Sequence, residues 1–284
     1  MDLRVRGPGS AAPFLGARDL FETERTLDRP VTVEIRDDPD ERTRVSHDDD
    51  GHLLVLSRQA ATSAMARELA LHEFAHMHHY EQDHPSHTQS TEEAIYLALA
   101  GRSVERRKLT HCYQIANHMK DIYADDLWLE VAPADKLVAF LESSLAAAVA
   151  DRRTGPPSGD APTGDAPTDA TSTGVADDPA AGTVADPASM PAAWKRLTAA
   201  ADPEITAVNA AFALALVERH DLVDDGHRLY ELARIAAGDA PEVELSAFKR
   251  HFLTLARDPD ESEYRKALVD VTREYAGGGQ RAAD

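Results

Sequence analysis

The chain is poor in lysine, in cysteine and in long apolar runs, and each shortage closes off a class of function. Six lysines and 24 arginines stand against 50 acidic residues, leaving a net charge of −20. Nucleic-acid recognition draws on clustered positive charge facing a phosphate backbone, so this balance argues against it. The acid excess is spread over several segments and is not gathered into one tail, a pattern suited to a solvated surface at high salt. Cys112 is the single cysteine, which rules out an intramolecular disulfide and any cysteine-rich zinc site. No apolar run approaches the ~18 residues of a membrane-spanning helix, and the amino terminus lacks the charged, apolar, small-residue order of a secretion signal. A soluble cytoplasmic protein with neither nucleic acid nor membrane as partner is expected.

What the sequence does hold is enough apolar material for a core, 43% of 284 residues, with room for one large domain or two modest ones. Asp2–Arg6 and Val31–Arg36 alternate like short strands, and Phe14–Thr26 between them has helical spacing. Thr43–His47 and His52–Ser57 flank Asp48-Asp49-Asp50-Gly51, whose Asp-Gly tip marks a hairpin. One helix is expected over 58–82, where Ala61, Met65, Leu69, His72, His76 and Tyr80 share a face, with Pro85 as its stop. Further helices are expected over Ser90–Gly101, Thr110–Leu129 and Ala134–Ala150.

Composition then shifts. Residues 151–190 are mostly Pro, Gly, Asp, Ala, Thr and Ser, and Gly159-Asp160-Ala161-Pro162-Thr163 repeats at once as Gly164-Asp165-Ala166-Pro167-Thr168. A segment with so little to bury reads as a disordered linker. Residues 191–276 return to helical patterns, at Ile205–His220, Gly226–Ala237, Glu242–Arg257 and Glu261–Tyr275, and predict a small all-helical domain with a tail over 277–284. The expected fold class is α+β: short strands and helices over residues 1–150, the linker, then the helical domain.

The chemistry concentrates in His72-Glu73-Phe74-Ala75-His76. Histidines at i and i+4 lie on one helical face and can present two imidazole nitrogens to one tetrahedral zinc ion. Glu73 follows the first of them, placed to take a proton from a water activated by the metal. Two acids compete to be the third ligand. Asp121 lies on a helix where Tyr113, Asn117, Asp121 and Asp125 form a polar stripe at spacing four. Glu93 is the alternative, because Glu92-Glu93-Ala94-Ile95 is similar to the Asn-Glu-Ala-Ile segment of thermolysin-like enzymes, although Ser90-Thr91-Glu92-Glu93 also reads as a helix-capping box. Asp125 and Asn117 are candidates to orient the ligands, because metal-bound imidazoles commonly donate their other N–H to a carboxylate. His111 and Tyr113 are candidate oxyanion stabilisers, with Tyr80, Tyr96 and Tyr123 equally available, while His78, His79, His84 and His87 could shape the cleft or bind extra metal but read more simply as clustered surface histidines.

His72-Glu73-Phe74-Ala75-His76 resembles the motif of zincin metallopeptidases, and Asp121-Ile122-Tyr123-Ala124-Asp125 is similar to the ligand helix of gluzincins with Asp in place of Glu. Around these motifs the chain resembles a family of haloarchaeal proteins with no assigned activity, chiefly over residues 1–150. The resemblance implies a zincin-like fold for that part, a Zn2+ cofactor, and hydrolysis of a peptide or protein substrate with Glu73 as catalytic base. The alternative is a zincin scaffold with structural zinc and no turnover, in which the helical part binds a protein partner.

Overall fold

The computed structural model describes residues 1–39, 41–48, 50–153 and 202–281. Its only sheet among those residues has four strands: β1 (Leu3–Arg6), β2 (Val31–Arg36), β3 (Arg44–Asp48) and β4 (Gly51–Ser57). The order is β1-β2-β4-β3, with β1, β2 and β4 parallel and β3 antiparallel on the β4 edge. Val31, Val33 and Ile35 alternate into the core from β2, beside Leu54 and Leu56 of β4. The hairpin forms where Asp48-Asp49-Asp50-Gly51 predicts it. Asp48 Oδ1 accepts from the backbone N–H groups of Asp50 and Gly51. Gly51 has φ 152°, and a Cβ there would lie 2.4 Å from the Pro30 carbonyl oxygen, so the turn requires glycine.

Helix α1 (Ala12–Phe21) buries Phe14, Ala17 and Phe21 against the metal-motif helix. The single helix expected over 58–82 is two helices, α2 (Arg58–Ala61) and α3 (Ala66–Glu81). The break has a local cause. The hydroxyls of Thr62 and Ser63 donate to the carbonyls of Arg58 and Ala60, closing the end of α2 with side chains. The end of α3 at Glu81, capped by Gln82, agrees with the expected end at 82, and Asp83 follows with a left-handed φ of 52°. Pro85 instead opens the one-turn α4 (Pro85–Thr88), where its missing N–H has no cost. Next come α5 (Thr91–Leu99), α6 (Arg106–Trp128) and α7 (Asp135–Arg153).

Residues 151–153 therefore complete α7, and the rest of the expected linker, with residues 191–201, lies outside the described residues. Beyond it stand α8 (Pro203–Arg219), α9 (Arg228–Gly238), α10 (Leu245–Leu253) and α11 (Glu261–Arg281), which runs past the expected end at Tyr275. Asp202 caps α8 by accepting from the Glu204 N–H, and Pro203 occupies its first turn. Every residue of α8 from Glu204 to Val217 is buried, because α6, α7, α9 and α10 surround it. Ile115, Met119 and Ile122 of α6 belong to one apolar cluster with Phe212, Phe252 and Tyr264. The observed class is α+β. No helix among the described residues is long and apolar enough to cross a membrane.

Candidate metal centre

Helices α3 and α6 pack against each other, and their contact brings His72 and His76 to Asp121. The three offer ligand atoms that all lie within 4.8 Å of one another. The Nε2 atoms of His72 and His76 are 3.0 Å apart. Asp121 Oδ1 is 3.7 Å from the first and 3.4 Å from the second. A tetrahedral zinc ion with ligand bonds near 2.0–2.1 Å needs ligand atoms about 3.3 Å apart, and the three edges bracket that value. The shorter reach of Asp121 is met because α6 crosses close to α3.

The outer nitrogens have defined partners. His72 Nδ1–H donates to Asp125 Oδ1 at 2.8 Å, and Trp128 Nε1–H donates to the same oxygen at 2.6 Å. On the other ring, His76 Nδ1–H donates to His87 Nε2 at 2.8 Å. His87 Nδ1–H can then donate to Ser86 Oγ, and the Ser86 hydroxyl to His84 Nδ1, each at 2.7 Å. Burial holds the His87 pKa well below its ordinary value, which keeps the ring a neutral acceptor. The two inner Nε2 atoms therefore face each other beside the Asp121 carboxylate. Burial alone would lower the pKa of His72, but the Asp125 and Asp121 carboxylates outweigh it and raise the value to about 10. The site attracts positive charge, which is what a cation site requires.

Glu73 follows His72 on α3 and is 5% exposed. Glu93 sits elsewhere: it is exposed on α5, its N–H donating to Ser90 Oγ at 3.2 Å. Ser90 caps α5 through this bond, and Glu93 is not among the grouped side chains His72, His76 and Asp121. Asn117 is half-buried one turn before Asp121, and the residue that meets the Asp121 carboxylate is its neighbour His118, whose Nδ1 is 3.4 Å from Oδ2.

A family model matches residues 1–181 and 169–277, which together take in most of the sequence. The chain belongs to DUF5781, a family of unknown function. No curated protein and no solved structure matches it.

Three residues of this DUF5781 site escape sequence reasoning. His87 is one of four histidines in a row of near neighbours, with nothing local to single it out. His118 precedes Asp121 by three residues, a spacing that puts both on one helical face, and that signal was available. Asn209, 2.9 Å from His118 Nε2, lies on α8 and carries no signal near the motif. His111 and Tyr113, the candidate oxyanion groups, do not fill that role together. His111 is ten residues before Asp121, about 15 Å along the helix, where its Nδ1–H donates to Tyr275 Oη and the Tyr275 hydroxyl donates to Glu204 at 2.7 Å. This second group, His111 with Asp202 and Glu204, already holds its cation: Arg107 bonds both carboxylates, at 2.5 and 3.1 Å.

Proposed function

We propose that this DUF5781 protein is a zinc-dependent hydrolase that cleaves peptide bonds, with His72, His76 and Asp121 as the metal ligands and Glu73 as the catalytic base. The supporting observation is the convergence of two imidazole lone pairs and a carboxylate oxygen on one point, with a glutamate on the adjoining residue. A zinc ion held by His72, His76 and Asp121 would supply Lewis acidity and would lower the pKa of a water to about 7. Glu73 would take the proton of that water and pass it to the leaving amine. Asp125 and His87 hold the two rings with their lone pairs inward, and His118 turns the Asp121 carboxylate. The peptide as substrate class rests on the resemblance of the motif to zincin peptidases. The comparisons bring in no peptidase family, so the motif and the geometry carry the reading together.

Purified protein is expected to bind one zinc per chain and to cleave members of a peptide library. Glu73→Gln should keep the metal and lose the cleavage. Equal cleavage by both proteins sinks the mechanism.

Burial favours a second reading. His72 is 1%, Asp121 3% and Glu73 5% exposed, which leaves His76 as the main opening to solvent. A metal so enclosed suits a structural role in a binding protein, the scaffold alternative. In that case the wild type holds zinc but cleaves nothing, and Glu73→Gln changes neither property.

A further inference from the structure

The third ligand of the proposed metal site is not held by its own helix alone. Asp121 divides its carboxylate between two tasks: Oδ1 faces the His72 and His76 nitrogens, while Oδ2 faces His118. His118 is fully buried and is gripped from α8 on two sides. Its Nε2 lies 2.9 Å from Asn209 Oδ1, within hydrogen-bond reach. Its ring stacks on Phe212, with centroids 4.4 Å apart and planes inclined by 16°. Phe252 of α10 meets the same ring edge-on at 6.2 Å. Asn209 is itself held by Gln114 of α6, whose Nε2–H donates to Asn209 Oδ1 at 3.1 Å. Asn209 and Phe212 are three residues apart, hence on one face of α8, and that face is the one turned to α6.

We infer that Asn209 and His118 are positioning residues of the metal centre, so that the helices after residue 202 complete a site whose ligands all lie before residue 130. This inference rests on the metal reading of His72, His76 and Asp121. The physical reason is the cost of disorder at a carboxylate ligand. Asp121 has two torsions free to turn Oδ1 away from the histidines. The fully buried His118 ring, with Nδ1 3.4 Å from Oδ2, occupies the space into which the carboxylate would turn, and it keeps that place only while Asn209 and Phe212 fix it. A buried Asn kept on an otherwise apolar helix among Ala207, Val208, Ala210 and Ala211 is costly unless its polar atoms are used, and here its oxygen serves both His118 and Gln114. Groups of this kind around metal sites change metal affinity by roughly 10–100-fold when removed.

The test uses the full chain with zinc affinity and the visible spectrum of bound Co2+ as readouts, neither of which depends on turnover. Asn209→Leu, close in volume, should fold, weaken zinc binding by roughly 10–100-fold and shift the cobalt bands. Asn209→Asp keeps an oxygen in place and should retain the wild-type spectrum. Should Asn209→Leu fail to fold, His118→Phe, which preserves the stack on Phe212, carries the same expectation. A folded variant of either kind with wild-type zinc affinity and an unchanged cobalt spectrum overturns the inference. The two readings separate cleanly, because absence of zinc binding by the wild type itself defeats the metal site and not the role of α8.

Discussion

His72 and His76 face each other through their Nε2 atoms across 3.0 Å, although each ring already uses its other nitrogen as a donor, to Asp125 and to His87. Two lone pairs at that separation repel unless a proton or a cation lies between them. With Asp121 Oδ1 3.7 and 3.4 Å from these two nitrogens, the three side chains form a group that could hold a metal ion.

Zinc binding should therefore depend on all three groups. Asp121→Ala and His76→Ala are expected to reduce bound zinc from one per chain to none at micromolar metal, measured by native mass spectrometry. Glu93→Ala should leave the stoichiometry at one. Zinc lost from the Glu93 variant and kept by the Asp121 variant would reverse the ligand assignment.

In the proposed centre Asp125 acts through His72, whose Nδ1 lies 2.8 Å from its carboxylate. Asp125→Asn keeps an acceptor but removes the charge that makes His72 a strong donor to the metal, and zinc affinity should fall by about 10-fold. Competition with a chromophoric chelator measures it. An unchanged affinity would mean that the 2.8 Å bond only packs the ring.

Next to it, Asp126 joins the two halves of the chain. Arg219 Nη2 lies 2.6 Å and His220 Nε2 2.8 Å from its carboxylate, and the Arg219 side chain is 6% exposed. Burial alone would raise the pKa of Asp126, but the His220 and Arg219 partners outweigh it and hold the value below 3.8. A carboxyl with a depressed folded-state pKa adds stability that is complete above its unfolded value and is lost as pH falls through the folded one. Thermal melts from pH 6 down to about pH 2 should show this loss below pH 3.8, and Asp126→Asn should remove that part of the acid sensitivity. At neutral pH the same substitution leaves the Arg219 guanidinium without its charged partner, held by the carbonyls of Leu253 and Leu255, and should cost about 3 kcal/mol. A flat difference between wild type and variant across that range would contradict the account.

Phe74 lies between the two motif histidines but points the other way, fully buried and edge-on to Phe21 with centroids 6.1 Å apart. Phe74→Ala should cost about 3–5 kcal/mol of stability, read as a fall in the midpoint of chemical denaturation. Zinc affinity of the folded fraction should stay near that of the wild type, since Phe74 contributes no ligand and orients none.

Periodicity and turn chemistry were enough for most of the elements. Val31–Arg36 is a strand with the bounds that its alternation predicts, and Asp48 with Gly51 sets the hairpin because their demands are local. Where the helix over 58–82 broke in two, side chains competed with the backbone pattern: the hydroxyls of Thr62 and Ser63 closed the end of α2. Ser90 shows the converse. Its capping geometry, visible in Ser90-Thr91-Glu92-Glu93, was the sound reading of Glu93, and the acid has no part in the cluster.

By itself the sequence determined that two histidines four apart share a helical face with a glutamate beside them, and that Asp121 and Asp125 share another, because helical spacing is a property of consecutive residues. Only the tertiary structure decided which acid meets the histidines, since that depends on how closely α6 crosses α3. It alone brought Asn209 to His118, 91 residues earlier. Contacts across such separations follow from how apolar faces of different helices pack, and no local pattern in the chain records them.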